Sequence, residues 1–312
     1  MKLLITIFLI FSGFQTAFAT GSPLGVGEQK TVHLTVNGHD RYFIIYLPGD
    51  YKKSTPLPLI FVLHGGKGSP ERVMRQTGFQ PLAEREKIIL VYPAALFDQW
   101  NDGRPTQANR AGINDVAFVN KICSYMEENY PVDKQKVYAT GISNGGFMTS
   151  RLGCELSNRL AATAIVSGTM EADSVAPGCH PTHPLPVLYI HGTADPIVPF
   201  GGGKMKEFTA GGNILSHQQV IDQWVGINKC DTTPAVSKMP DIADDGTTVQ
   251  KTLYTGGIND NEVVSYVIIN GGHTWPQGRP VASEFIIGKT SQDINANEVI
   301  WDFFKKFKNN DQ

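Results

Sequence analysis

A chain of 312 residues, 41% hydrophobic and 18% charged, has the apolar content of a protein with a large core, which excludes general disorder. A formal net charge of −2 without a long Lys/Arg run excludes a basic nucleic-acid groove or an anionic membrane surface, and leaves small neutral or weakly acidic substrates open.

The first element, MKLLITIFLIFSGFQTAFA, is one Lys, an apolar stretch and Ala17-Phe18-Ala19, the pattern of a secretory signal cut after Ala19. No second apolar span follows, so the mature chain is expected to be soluble outside the cytoplasm, extracellular or periplasmic, with no stable membrane insertion. Residues 20–28 read as a short leader and 29–312 as one domain. Export permits disulfides, and Cys123, Cys154, Cys179 and Cys230 allow three complete pairings that spacing does not separate. None sits in a C-x-x-C pair, which argues against zinc or redox chemistry, and Cys123 falls on the buried stripe of a helical pattern.

TVHLTV and RYFIIYLP flank Asn37-Gly38, an antiparallel hairpin signature. PLIFVLHG, KIILVYPA, KVYATG, AATAIVSG, PVLYIHG and EVVSYVIING then recur as short apolar runs closed by Gly or Pro, the pattern of strands buried on both faces. Helical patterns lie between them: the stripe Val116, Val119, Ile122, Cys123, Met126, the stretch 214–227, and a last one over 299–307. This alternation predicts an α/β fold with a mostly parallel central sheet, helices on both faces and an N-terminal antiparallel hairpin. The stretches 201–212 and 230–248, rich in Gly or in Asp, Thr and Pro, read as loops over the sheet edge, the plain solvated connection being favoured over a substrate wall.

Gly141-Ile142-Ser143-Asn144-Gly145 is a G-x-S-x-G motif between a strand (KVYAT) and a helical pattern (FMTSRLGCEL), the setting of a nucleophile elbow. A serine hydroxyl is a poor nucleophile at neutral pH and needs a base, which in turn needs an orienting acceptor; on such a fold the chain order is Ser, acid, His. His33, His39, His64, His180 and His183 fail that order, and His191 ends a strand with no strand-end acid before it. His217 sits in a helical pattern, whereas His273 follows the strand VVSYVIIN and two glycines, so His273 is the expected base. Asp195, fixed by Pro196 just past the strand PVLYIHG, is the expected acid, with Asp173 as runner-up. The oxyanion donors are expected from the backbone N–H of Asn144 and from the loop His64-Gly65-Gly66, with Gly66 preferred over Lys67 and His64 bracing the loop.

LHGG, GISNGG, HGTADPIVP and GGHTWP, in this order over most of the mature chain, resemble the secreted α/β-hydrolase esterases grouped with polyhydroxybutyrate depolymerases and feruloyl esterases. The resemblance implies an α/β-hydrolase fold, the triad Ser143, Asp195 and His273, a Cys154–Cys179 bridge, and Trp100 and Trp275 at the border of the acyl pocket. Lys67 and Gln277 depart from glycines that many relatives carry. The stretch after the last helical pattern is too short for the separate polymer-binding module of several relatives, which argues against attack on solid polymer.

The chemistry implied is acyl transfer through a serine ester. Its substrate is a small ester or ester-bearing polymer: a hydroxybutyrate oligomer or a feruloyl or acetyl ester of plant polysaccharide. No metal or organic cofactor is called for. The competing readings are a non-catalytic binding protein on the same fold and a secreted serine peptidase.

Overall fold

The computed structural model describes residues 27–206 and 210–310, so the signal expected at 1–19 and most of the leader lie outside the described residues. The strands are β1 Glu28–Val36, β2 His39–Leu47, β3 Leu57–Leu63, β4 Ile89–Pro93, β5 Val132–Ile142, β6 Ala162–Val166, β7 Val187–Gly192, β8 Gly203–Lys204, β9 Asn213–Ile214, β10 Ala235–Lys238, β11 Thr248–Tyr254 and β12 Val263–Ile269. The helices are α1 Pro70–Thr77, α2 Gln80–Glu86, α3 Gln107–Arg110, α4 Asp115–Asn129, α5 Asn144–Glu155, α6 His217–Asn228, α7 Glu284–Ile287 and α8 Ala296–Phe304.

Ten strands form one sheet in the order β1-β2-β4-β3-β5-β6-β7-β12-β11-β10. The central run from β4 to β12 is parallel, and antiparallel strands close both edges. The hairpin at Asn37-Gly38 is present, with Val36 paired to His39 and positive φ at both turn residues. Alternate residues of each central strand feed opposite faces. In β3, Leu59, Phe61 and Leu63 join the layer built by α4, α5 and α6, while Ile60 and Val62 join the layer of α1, α2 and α8. Each fully buried aliphatic side chain adds about 1.5–3 kcal/mol, which is why these strands read as unbroken apolar runs rather than as alternation.

Two stretches expected to be loops carry strands. Within 230–248, β10 is wholly exposed and pairs only with β11, which continues the sheet antiparallel from β12. An edge strand that buries nothing has no apolar period to display. Within 201–212, β8 pairs with β9, and Met205 and Ala210 line a cavity at the C-terminal ends of the parallel strands. Met205 and Ala210 thus belong to a cavity wall, where the glycines of this stretch suggest only a solvated connection.

Candidate active site

The chain leaves β5 and enters α5 through Ser143, whose φ of 57° and ψ of −125° are strained for a residue with a Cβ. Ser143 N–H donates to the Val166 carbonyl at 3.0 Å, and its own carbonyl accepts from Phe147 N–H at 2.9 Å. The surrounding glycines have a steric reason. A Cβ at Gly141 would lie 2.4 Å from the Gly145 carbonyl oxygen, and one at Gly145 would lie 2.4 Å from that of Leu63 at the end of β3. The turn therefore closes only where those neighbours lack side chains, and it leaves the Ser143 side chain half-buried at the cavity.

Asp195 stands just after β7 with its side chain fully buried. Its Oδ1 accepts the N–H groups of Ile197 and Val198, both at 2.8 Å, and its Oδ2 accepts from His273 Nδ1 at 2.8 Å. Burial pushes this carboxyl up, but the attraction of His273 and the polar contacts of His191 and His273 outweigh it and hold the pKa far below the usual carboxylate range. His273 is positioned by its own N–H, donated to the Ile287 carbonyl at 2.6 Å. With Nδ1 donating to a carboxylate, its Nε2 carries the lone pair. Among the described residues no hydrogen bond joins His273 to Ser143, but both line the same cavity of about 360 Å³. Such a contact commonly tightens only when substrate is bound.

The loop after β3 approaches Ser143 from the other side. A Cβ at Gly65 would lie 3.3 Å from Ser143 Cβ, and one at Gly66 would lie 3.7 Å from Asn144 Cβ. Lys67 is removed as an oxyanion donor because its N–H is already given to the Asp98 carbonyl at 2.8 Å. Among the described residues the N–H groups of Gly66 and Asn144 have no acceptor, and the latter is the first of α5, where no intrahelical acceptor exists. His64 braces this loop. Its Nε2 accepts Ala95 N–H at 3.1 Å, so Nδ1 bears the hydrogen and donates to the Gly65 carbonyl at 2.7 Å.

Trp100 and Trp275, expected at the pocket border, stand behind its walls. Trp100 is fully buried, donating Nε1–H to the His64 carbonyl at 2.8 Å and its N–H to Asn144 Oδ1 at 2.8 Å. Trp275 packs edge-on against Phe79 and donates to Asn297 Oδ1. Indoles with a satisfied N–H inside the protein are framework here. The apolar lining comes instead from Ile197, Val198, Met205, Val281 and Ile287, with Arg104 on the polar side.

A buried network behind Ser143 has no signature in the sequence. Asn144 Nδ2 donates to Asp102 Oδ2 at 2.7 Å, and Asp102 is paired with Arg104 at 2.6 Å. The Arg104 guanidinium lies 3.9 Å over the Phe147 ring. These contacts tie the 99–104 loop to Asn144, the residue after Ser143.

The remaining candidates are placed elsewhere. Asp173 accepts from Asn213 Nδ2, and His217 is buried with Nε2 2.7 Å from Ser265 Oγ. Cys154 and Cys179 form a disulfide, while Cys123 and Cys230 are buried free thiols. No helix among the described residues is long and apolar enough to cross a membrane.

Comparison with known proteins gives matching results. Residues 104–218, which hold Ser143 and Asp195 but stop short of His273, match the Phospholipase/Carboxylesterase family. The chain is 28% identical over 308 residues to feruloyl esterase C of Emericella nidulans, covering 96% of this chain and 97% of that protein. It is 33% identical over 190 residues to a protein of Aspergillus clavatus named "Probable feruloyl esterase C", covering 60% of this chain and 67% of the other. Among solved structures, the acetyl xylan esterase of Aspergillus awamori superposes with a TM-score of 0.62 at 15% identity, covering 88% of this chain and 99% of that one, a likeness of fold.

Proposed function

Since the chain belongs to the α/β-hydrolase esterases that include feruloyl esterase C, and is a carboxylic ester hydrolase, we propose that it is a secreted serine esterase whose triad is Ser143, His273 and Asp195. The observation that carries this reading is the convergence of Ser143, His273, Gly66 and Asn144 on one cavity, with Asp195 buried directly behind the imidazole.

In this reading His273 Nε2 takes the Ser143 proton as Oγ attacks the ester carbonyl, and then returns it to the departing alcohol. Asp195 holds the tautomer with Nδ1–H and favours the imidazolium that forms. The N–H groups of Gly66 and Asn144 receive the oxyanion, a donor of this kind contributing roughly 3 kcal/mol to transition-state stabilisation. Water, activated by the same imidazole, releases the acid and restores the serine. The cavity, about 360 Å³ with an apolar wall and one charged corner at Arg104, is of the size that takes a small acyl group. Feruloyl or acetyl esters of plant polysaccharide, or hydroxybutyrate-type oligomers, are the substrates it suits. The N-terminal signal pattern and the Cys154–Cys179 bridge support secretion.

The test compares native protein and Ser143→Ala on p-nitrophenyl acetate, a feruloyl ester, a hydroxybutyrate oligomer and a peptide anilide, with labelling by a serine-directed phosphonate. Ester turnover and labelling that both vanish in Ser143→Ala are expected. Undiminished turnover in that variant, or cleavage of the anilide alone, overturns the proposal.

A further inference from the structure

Asp195 faces two imidazoles, and the chemistry above uses only one. His191, in β7, has a fully buried side chain whose Nε2 lies 3.1 Å from the Val198 carbonyl oxygen and 3.4 Å from Asp195 Oδ2. Both neighbours can only accept, so Nε2 bears the hydrogen. The opposite nitrogen, Nδ1, is buried with no hydrogen-bond partner. Around the ring stand Phe200, with centroids 5.3 Å apart, and His217, at 5.7 Å. A second proton on His191 would have to sit on Nδ1, making a buried cation with an unpaired donor.

The ionisable groups facing His191 are Asp195 from its own loop, His217 from α6 and, across the shared carboxylate, His273 from the loop after β12. His217 offers no help to a protonated neighbour. Its Nε2 is engaged with Ser265 Oγ, its Nδ1 is equally without a partner, and burial, with His191 adding to it, holds its pKa well below the usual value. His273 is placed in the opposite way. Its Nδ1 is satisfied by the carboxylate, and the ring lines the cavity, where a proton on Nε2 meets substrate or solvent.

We propose that His191 is a positioning residue for the acid. It ties Asp195 Oδ2 to the Val198 carbonyl through one N–H, so that the carboxylate keeps its charge for His273 and the cavity wall at Ile197 and Val198 keeps its place beside the acid. Two imidazoles share one carboxylate, His273 opening on the cavity and His191 holding the acid from within the protein. The inference rests on the assignment of Asp195 and His273 as acid and base.

The experiment has two arms. In one, His191→Leu keeps volume and loses the donor; in the other, His191→Gln restores a donor that does not ionise. On p-nitrophenyl acetate, His191→Leu is expected to lower kcat about 10- to 100-fold with a smaller change in KM. It should also displace the acid limb of kcat/KM and broaden the low-field resonance of the His273–Asp195 proton. His191→Gln is expected to recover most of each. A Leu variant with native kcat, acid limb and low-field signal overturns the proposal, and so does a Gln variant that recovers none of them. Should His191→Leu fail to fold, the same readouts on His191→Gln decide, a kcat and low-field signal far from native overturning the proposal. Undiminished turnover in Ser143→Ala would instead sink the triad, and it leaves the low-field signal of the His191 variants readable.

Discussion

The glycines that flank Ser143 yield a paired prediction. A Cβ at Gly145 would meet the Leu63 carbonyl oxygen at 2.4 Å and the His64 carbonyl oxygen at 2.5 Å, both backbone atoms of the β3 end. Ordinary carbon–oxygen contacts begin near 3.3 Å, so Gly145→Ala forces about 0.9 Å of separation between α5 and β3. Overpacking of this kind costs roughly 1–3 kcal/mol, and at the entropy of unfolding of a chain this long that lowers Tm by about 2–5 °C. The activity falls further than the stability, because the same movement parts the Asn144 N–H from the Gly66 N–H, and about 1 Å of misplacement near the reacting atoms lowers a rate on the order of 100-fold. Gly226, in α6, is the control: a Cβ there meets nothing within 4 Å. Gly226→Ala should raise stability by about 0.5–1 kcal/mol through helix propensity and leave kcat alone. Calorimetry and kcat on p-nitrophenyl acetate measure both. A Gly145→Ala enzyme with native Tm and native kcat refutes the steric account of the elbow.

Two further outcomes follow from the disulfide and from the buried acid. Cys154 and Cys179 are 25 residues apart, and opening a loop of that length by Cys154→Ser with Cys179→Ser should cost about 3.5 kcal/mol on the chain-entropy account; urea unfolding that shows less than about 1 kcal/mol contradicts it. Because the Asp195 carboxyl is held below its unfolded value, it stabilises the native state above about pH 3.9 and loses that contribution as the pH falls toward the lowered value. Tm of the native protein should therefore fall between about pH 4 and pH 2 more steeply than that of Asp195→Asn, and parallel curves would contradict the ion-pair reading.

How much of this was legible in the sequence depended on range. Ser143 with its glycines, Asp195 with Pro196 and His273 after Gly271-Gly272 are each local patterns at strand ends, and a strand buried on both faces displays itself as an apolar run. β10 buries nothing and so left no trace among the Asp, Thr and Pro around it. The choice between Gly66 and Lys67 turned on the Asp98 carbonyl, 31 residues away along the chain from the one that it disqualified, and no spacing announces that contact. Trp100 stands in a telling stretch, yet its role is to hold Asn144 and the His64 carbonyl rather than to meet substrate. His191 could be dismissed as a base from its position in a strand, but its proximity to Asp195 exists only because the chain turns back after β7, where Asp195 N–H donates to the Gly192 carbonyl at 3.3 Å. The wall at Met205 was hidden by the glycines that shape it.

The strand order itself explains why the remaining glycines of the site stand where they do. Ser143 leaves β5 and His273 leaves β12, with β6 and β7 between them, a separation of three strand spacings or about 14 Å. An imidazole cannot span that distance, so the loop after β12 has to lie back across the ends of β7 and β6. It does so in backbone contact: the Gly271 carbonyl accepts Ala194 N–H at 2.9 Å, and Ser167 Oγ at the end of β6 donates to the Thr274 carbonyl at 3.1 Å. A Cβ at Gly192 would lie 2.2 Å from the Gly271 carbonyl oxygen, and one at Gly272 would lie 2.2 Å from that of Ile287. The glycine after His191 therefore answers a requirement set by topology, and a side chain at Gly192 would displace His273 without touching it.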